Sequence, residues 1–305
     1  MPGMMMNTKE VAEYLGVHEK QVYALIRDRD LPATRITGKW IFPKDLIDRW
    51  IAVHAKAGEE GGAKKHRGAD TSLLAAGSND PVLEILLNTV KEASPGMLIF
   101  SSSTGSTQGL RLLGAGETDI AWCHLLDPAT GTYNIPYLSS HLGDKKFAVV
   151  HLFFRELGFI SAKDAPRRIE RFEDLTGEGM RFINRQEGSG TRVFLDYNLN
   201  QRGIDPGRID GYGRVVYTHL EAGLALLSGE ANVCLATVAV SRLLGLPFVP
   251  LVKESFDMVL AQETFFARGV QAFIETLNTE TFRKRVAPLG DYDFSNSGRI
   301  VHTTS

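Results

Sequence analysis

TKEVAEYLGVHEKQVYALIRDRDLPATRITGKWIFPKDLIDRWI, Thr8 to Ile51, decides how this 305-residue chain is organised. Apolar residues at Val11, Ala12 and Leu15, then at Val22, Leu25 and Ile26, recur at the spacing of two amphipathic helices. Gly16 stands where the chain must turn between them, and Thr8 is placed to cap the first. After Leu31-Pro32, two short β-rich runs flank Thr37-Gly38 and read as a hairpin, or wing. Pro43 then opens a third helix, Lys44 to His54, with Leu46, Ile47, Trp50 and Ile51 on one face. Helix, turn, helix, wing and helix in such a short span predict a DNA-binding head.

The second helix interleaves His18, Lys20, Gln21, Tyr23 and Arg27 with its buried positions, and the wing adds Arg35 and Lys39. Donors placed so can meet base edges and phosphates in the major groove. Any surface helix shows charges on its outer face; the wing and third helix beside it are what favour DNA. Thr8-x-x-x-Ala12-x-x-Leu15-Gly16-Val17, with Gly38-Lys39-Trp40 and Pro43, resembles the excisionase/MerR-like winged helix–turn–helix family over essentially its whole module. The resemblance implies that His18 to Arg27 reads DNA and that Arg35 to Phe42 forms the wing.

Ala55 to Gly68 has almost no large apolar residue, is rich in Gly, Ala and charge, and reads as a flexible linker. The expected organisation is a winged head over 1–54, a linker over 55–69 and an α/β body over 70–305. In the body, strand-like and helix-like segments alternate: Ser72–Ser78, Asp80–Ala93, Met97–Ser101, Thr107–Leu113 and Asp119–Cys123, then a second series from Arg181 to Leu244. That order predicts parallel sheets. Phe147 to Ser161 is long and apolar enough to link two lobes, and Val270 to Arg285 reads as one amphipathic helix ending the fold.

Small polar residues gather where strands end and helices begin. Ser78 and Asn79 follow the first strand, Ser106 and Thr107 the second, and Ser189, Thr191 and Arg192 the strand at Arg181–Asn184. Helix starts leave N–H groups free and carry positive partial charge, so several meeting in one cleft would hold an anion. Singly, each Ser or Thr is an ordinary cap; the repetition in both halves makes the site.

GSNDPVL (77–83), GSTQGLRLLGAGETDIAWCHLLDPATGTYN (105–134), FINRQEGSGTRVFLD (182–196) and THLEAGLALLSGEANVCLAT (218–237) resemble the PBP-like domain related to type II periplasmic binding proteins, near the molybdate/tungstate branch. The resemblance implies two lobes with a small anion between them, molybdate or tungstate among the candidates, and adds His124 to the site. Arg185, Arg192 and His124 would equally suit an organic acid or a phosphate-bearing compound.

Bulk properties agree. Residues 1–68 carry 12 Lys/Arg against 9 Asp/Glu and the remainder 22 against 27, so the mild basic bias sits on the head. Cys123 and Cys234 lie far apart in apolar runs, which argues against a disulfide or zinc site. No signal peptide or long uncharged apolar segment is seen, giving an expectation of a cytoplasmic protein. Gly38-Lys39 is followed by Trp40, Gly114-x-Gly116 lacks a third Gly at Asp119, Ser189 lacks G-x-S-x-G framing, and His124, His141 and His219 form no catalytic constellation.

The expectation is therefore a non-enzymatic, ligand-responsive transcriptional regulator that needs no cofactor. Its partners would be double-stranded DNA, a small anion and a second copy, since one small head binds weakly and paired half-sites are the remedy. The alternatives are an enzyme or ligand-delivery protein of molybdenum cofactor metabolism with the head as a docking module, and an architectural DNA-bending protein.

Overall fold

Asn7, one residue earlier than expected, caps the first helix. Its Oδ1 accepts from the backbone of Lys9 (3.0 Å) and Glu10 (3.1 Å), and the Glu10 carboxylate accepts from Asn7 N (2.8 Å). This reciprocal box makes Thr8 the first helical residue instead of the cap. The structure is a computed structural model that describes residues 4–28, 31–36, 38–59, 72–143, 145–290 and 292–304. The head contains β1 (Met5–Asn7), α1 (Thr8–Leu15), α2 (Glu19–Asp28), β2 (Thr34–Ile36), β3 (Lys39–Pro43) and α3 (Lys44–Glu59). Gly16 ends α1 in the left-handed region at φ +66°. β1 is a strand that sequence patterning missed; it pairs antiparallel with β3, and the sheet order is β1-β3-β2. Met6, Val11, Ala12, Val22, Leu31, Phe42 and Ile47 form the core, while Leu46, expected on the same face, is exposed. α3 continues past His54 through Ala55-Lys56-Ala57, strong helix formers, so the first five residues of the expected linker are helical. The rest of that linker, residues 60–69, lies outside the described residues.

The chain divides into two compact units, Met1–Arg67 and Gly68–Ser305. The second begins with β4 (Ser72–Gly77), α4 (Pro81–Ala93), β5 (Leu98–Ser103), α5 (Ser106–Ala115), β6 (Ile120–Cys123) and α6 (Leu138–Leu142). A long strand, β7 (Phe147–Ser161), leads to β8 (Phe182–Arg185), α7 (Gly190–Gln201), β9 (Val215–Val216), α8 (His219–Leu227), β10 (Val233–Thr237) and α9 (Val238–Leu244). A second long strand, β11 (Phe248–Ala261), returns to α10 (Arg268–Leu277), α11 (Glu280–Val286) and β12 (Ile300–Thr303).

The sheet is mixed rather than parallel throughout. β5-β4-β6 and β10-β8-β9 are parallel trios; β6-β11, β11-β7 and β7-β10 are antiparallel pairs that join them. The long strands belong to both halves. Phe147 to Phe153 of β7 pack in the cores under β4–β6, and Leu157 to Ile160 in those under β8–β10. β11 makes the same passage in reverse, so the two strands connect the lobes. The single helix expected over Val270–Arg285 is two, because Thr279 accepts from Phe282 N and starts α11 afresh. β12 then adds to β7, so no helix ends the fold.

Candidate functional site

On the head, Val22 is buried while His18, Lys20, Gln21 and Tyr23 are exposed, which leaves a polar ridge along α2. Gln21 Oε1 accepts from His18 N (3.0 Å), so this side chain caps its own helix and has only its amide left to offer. The Arg27 side chain lies outside the described residues. On the wing, Lys39 is exposed, and Arg35 is folded back, donating to Gly38 O (3.2 Å) and lying over the Trp40 ring. Lys44, by contrast, is committed to structure: Nζ donates to Asp48 (2.8 Å) and Tyr14 Oη (3.0 Å), and Tyr14 Oη donates to Asp48 (2.6 Å), pinning α1 to α3.

In the body, close backbone approach sets the cleft. A Cβ on Gly109 would stand 2.7 Å from Gly77 Cα and 2.8 Å from Ala76 O, so only glycine lets α5 ride over the end of β4. That approach brings Ser78 and Ser106 together, their hydroxyls 2.7 Å apart, and Ser106 Oγ also accepts from His124 N (3.2 Å). α5 has no side-chain cap, because its cap position is Gly105. From the other lobe, Gly188 O accepts from Thr107 N (3.1 Å), and Gly190 packs on His124 so tightly that a Cβ there would fall 2.6 Å from the imidazole. Ser189 is buried beside Gly105, and its Oγ accepts from Arg192 N (3.2 Å) as the cap of α7.

Charge in the cleft is arranged around two arginines. Arg155 and Glu254 are facing partners on β7 and β11, at the crossover between lobe cores. The Arg155 guanidinium, wholly buried, pairs with Glu254 (2.6 Å) and Asp80 (2.7 Å). Tyr292 Oη donates to Asp80 as well, and Glu254 Oε2 accepts from His124 Nδ1 (3.1 Å). An ionised carboxylate only accepts, so His124 carries its proton on Nδ1. Against the burial that would raise it, His124 and Arg155 hold the Glu254 carboxyl down to about 2. Burial in turn keeps His124 neutral, its pKa lowered. Arg155 is thus answered by two carboxylates. Removing it would leave both uncompensated in the interior, a loss of roughly 3–5 kcal/mol.

Arg185 has no such answer. It is buried, and among the described residues no carboxylate lies within ion-pairing distance of it. Its Nη2 donates to Tyr217 O (2.7 Å) and weakly to Asn79 Oδ1 (3.4 Å), Nε donates to Gln186 Oε1 (3.3 Å), and Nη1 has no partner. Burial, with Arg155 nearby, lowers its pKa to about 10. Near it, His219 is completely buried with both ring nitrogens unpartnered, its ring 6.3 Å from that of His124. Burial first, then Arg185, Arg155 and His124, push its pKa well below the usual value. Thr191 Oγ1 is a further buried group without a partner. A cation and an imidazole left unsatisfied side by side in the interior are expensive unless something small and anionic joins them.

A family model described as a PBP superfamily domain matches residues 87–278. The chain belongs to that family. A second, described as a helix-turn-helix domain, matches residues 5–53. Among curated proteins, the uncharacterized protein YvgK of Bacillus subtilis (strain 168) is 27% identical over 97% of each chain. Among solved structures, a protein of Clostridium perfringens assigned as a phosphate ABC transporter substrate-binding protein, with bound phosphate, superposes with a TM-score of 0.54 at 15% identity over 75% of this chain and 99% of its own. A peroxide-bound cysteine mutant of Corynebacterium glutamicum OxyR gives 0.53 at 15% over 93% and 90%, and a Geobacter sulfurreducens tungstate ABC transporter 0.50 at 14% over 71% and 97%. At such identities the likeness is one of fold.

Within this PBP superfamily fold, the expected cleft residues divide. Ser78, Ser106 and His124 meet by direct bonds, Asn79 reaches Arg185, Thr107 binds the opposite lobe through its amide, and Ser189 and Thr191 are buried at the start of α7. Arg192 meets them through its backbone N–H to Ser189 and a long Nη1 bond to Arg185 O (3.5 Å), but its charge is held elsewhere. Its guanidinium pairs with Asp196 one turn on (2.8 Å) and lies 4.2 Å from the centroid of the Tyr212 ring. The local acid neutralises it, and Arg185 is the cation that remains. Asp80, Arg155, Glu254 and His219 were missing from the expected set, and Arg185 entered it only as a side chain suited to an organic acid or a phosphate-bearing compound. Charged residues inside the apolar runs 147–161 and 248–261 were the available signal for two of them.

Proposed function

We propose that this protein is a DNA-binding transcriptional regulator whose PBP superfamily body binds a small oxyanion between its lobes. The carrying observation is Arg185, buried with no carboxylate in ion-pairing distance among the described residues and with Nη1 unpartnered, beside the unpartnered His219. An anion there would remove the cost of an uncompensated interior charge and satisfy several donors at once. Molybdate and tungstate are the first candidates and phosphate the next, in line with the sequence resemblance and the ligands named for relatives of the fold. The head is read as an excisionase/MerR-type winged module acting on DNA in the cytoplasm, with Lys20, His18, Tyr23 and Lys39 as its exposed contacts. No helix among the described residues is long and apolar enough to cross a membrane.

Calorimetric titration of the full chain with molybdate, tungstate, phosphate and sulfate tests the reading. At least one should bind, with affinity at least about tenfold weaker in Arg185→Met, and a thousandfold excess over Kd should add about 4 kcal/mol of stability. Wild-type binding by Arg185→Met would refute the site. Turnover of a metabolite by the purified protein would favour the molybdenum-enzyme alternative instead.

A further inference from the structure

α8 is apolar on both of its faces. His219, Ala222, Gly223, Ala225 and Leu226 are buried against the lobe. Leu220, Leu224 and Leu227, four and three residues apart, are 42%, 47% and 55% exposed, and Glu221 is the only other exposed residue of the helix. A helix that is hydrophobic all round is ordinarily covered all round. The corresponding helix of the other lobe, α5, which likewise joins the edge strand to the third strand of its trio, behaves as a surface helix should: its exposed positions are Gln108, Arg111 and Ala115. Further apolar exposure flanks the α8 stripe. Val215 and Tyr217 lie two residues apart along the edge strand β9 and its end, and Leu243 is on α9, which packs against α8.

We infer that this face of α8, β9 and α9 is where a second copy of the chain docks. Six large side chains, each about half exposed, present on the order of 500 Å² of apolar surface, and two copies face to face would cover about 1,000 Å², the threshold of a specific interface. Charge around the stripe points the same way. Arg214, paired with Asp210 and donating to Glu230 O, lies beside Val215, and Glu221 is exposed on α8 itself, so both signs border the stripe. Under a twofold axis such a rim can meet its own complement, whereas an anionic bilayer calls for a uniformly basic one. The interface stands on these observations independently of the ligand reading.

Sedimentation equilibrium of the full-length protein over a range of concentrations gives the test. The wild-type protein is expected to dimerise, and Leu224→Glu, which buries two charges at the axis, to weaken that dimer roughly 100-fold or more. Asn88→Glu, the same kind of change on exposed α4, should leave it intact, and circular dichroism and thermal melts should match wild type for both variants. Leu224→Cys adds an independent readout: mild oxidation should give a covalent dimer, since Cys123 and Cys234 are buried. A wild-type protein monomeric at every concentration, or a Leu224→Glu dimer as tight as wild type, overturns the proposal.

Discussion

His219 and Leu220 are neighbours on α8, yet the first is sealed inside the cleft beside Arg185 and the second stands on the outer apolar stripe. One short helix therefore carries both an unsatisfied group of the candidate site and the surface inferred to meet a second copy. Because α8 is only nine residues long, a displacement at its start must be felt along its whole outer face.

The state of His219 should make anion binding pH-dependent. Burial and the nearby Arg185, Arg155 and His124 keep the imidazole neutral, with its pKa well below the usual value. An entering anion supplies opposite charge and raises that pKa, so a proton is taken up with the anion and affinity rises as pH falls. Stability without anion runs the opposite way. A folded pKa below the unfolded one leaves the imidazole's contribution whole above the unfolded value and removes it progressively as pH drops toward the folded value. Titrations from about pH 8 to about pH 5.5, spanning the ordinary histidine range, should show tighter binding in acid for wild type and a flatter profile for His219→Gln. Equal slopes for the two proteins would exclude His219 from the site.

Gly190 controls how closely the lobes meet. A Cβ added there would collide with the backbone carbonyl of His124 and stand 2.6 Å from its ring. Backbone cannot retreat as a flexible side chain can, so Gly190→Ala should hold the lobes apart while each keeps its own core. We expect anion affinity to fall about tenfold or more, with the far-ultraviolet spectrum unchanged. Small-angle scattering with saturating anion should find no compaction in the variant. Wild-type affinity would mean that the closed contact between Gly190 and His124 is not part of binding.

On the head, Lys20 and Lys44 should separate DNA contact from architecture. Lys20 is exposed on the ridge of α2, so Lys20→Ala should weaken operator binding and lower the salt slope by about one unit without altering thermal stability. Lys44 is locked to Asp48 and Tyr14, an arrangement that raises its own pKa and lowers that of Asp48. Lys44→Ala should lower the melting midpoint of the head and leave the salt slope alone. Fluorescence anisotropy over a salt series distinguishes the two outcomes.

What could be read from the sequence follows from how local each signal is. The alternation of β4, α4, β5, α5 and β6, and the small polar residues at their junctions, are set within a few residues and were legible. The antiparallel core of the sheet was not, because β7 and β11 pair across about a hundred positions: Arg155 meets Glu254 99 residues on. The Asp80–Tyr292 bond spans 212 residues. The choice between Arg185 and Arg192 was legible in principle, since Asp196 stands four residues after Arg192 on one helix face. Thr279 and Asn7 show the same limit at helix ends, where a cap moves a boundary by one residue or splits a helix in two.

If α8 joins ligand to dimer, coupling does not have to pass through the residues between head and body. A linker transmits little torque, but a dimer interface fixes the spacing of two heads on paired half-sites. Anion should therefore change operator affinity by roughly 5- to 150-fold, the range of a coupling of about 1–3 kcal/mol. Leu224→Glu should remove that effect while the body still binds anion, because Leu224 is exposed and outside the cleft. Arg185→Met should also remove it, but by losing the anion itself. Operator titrations of wild type, Leu224→Glu and Arg185→Met, each with and without saturating anion, read all three. A Leu224→Glu protein that keeps the full anion response would place the coupling elsewhere than α8, and a wild-type protein with no response would be a DNA-binding protein whose ligand does not regulate it.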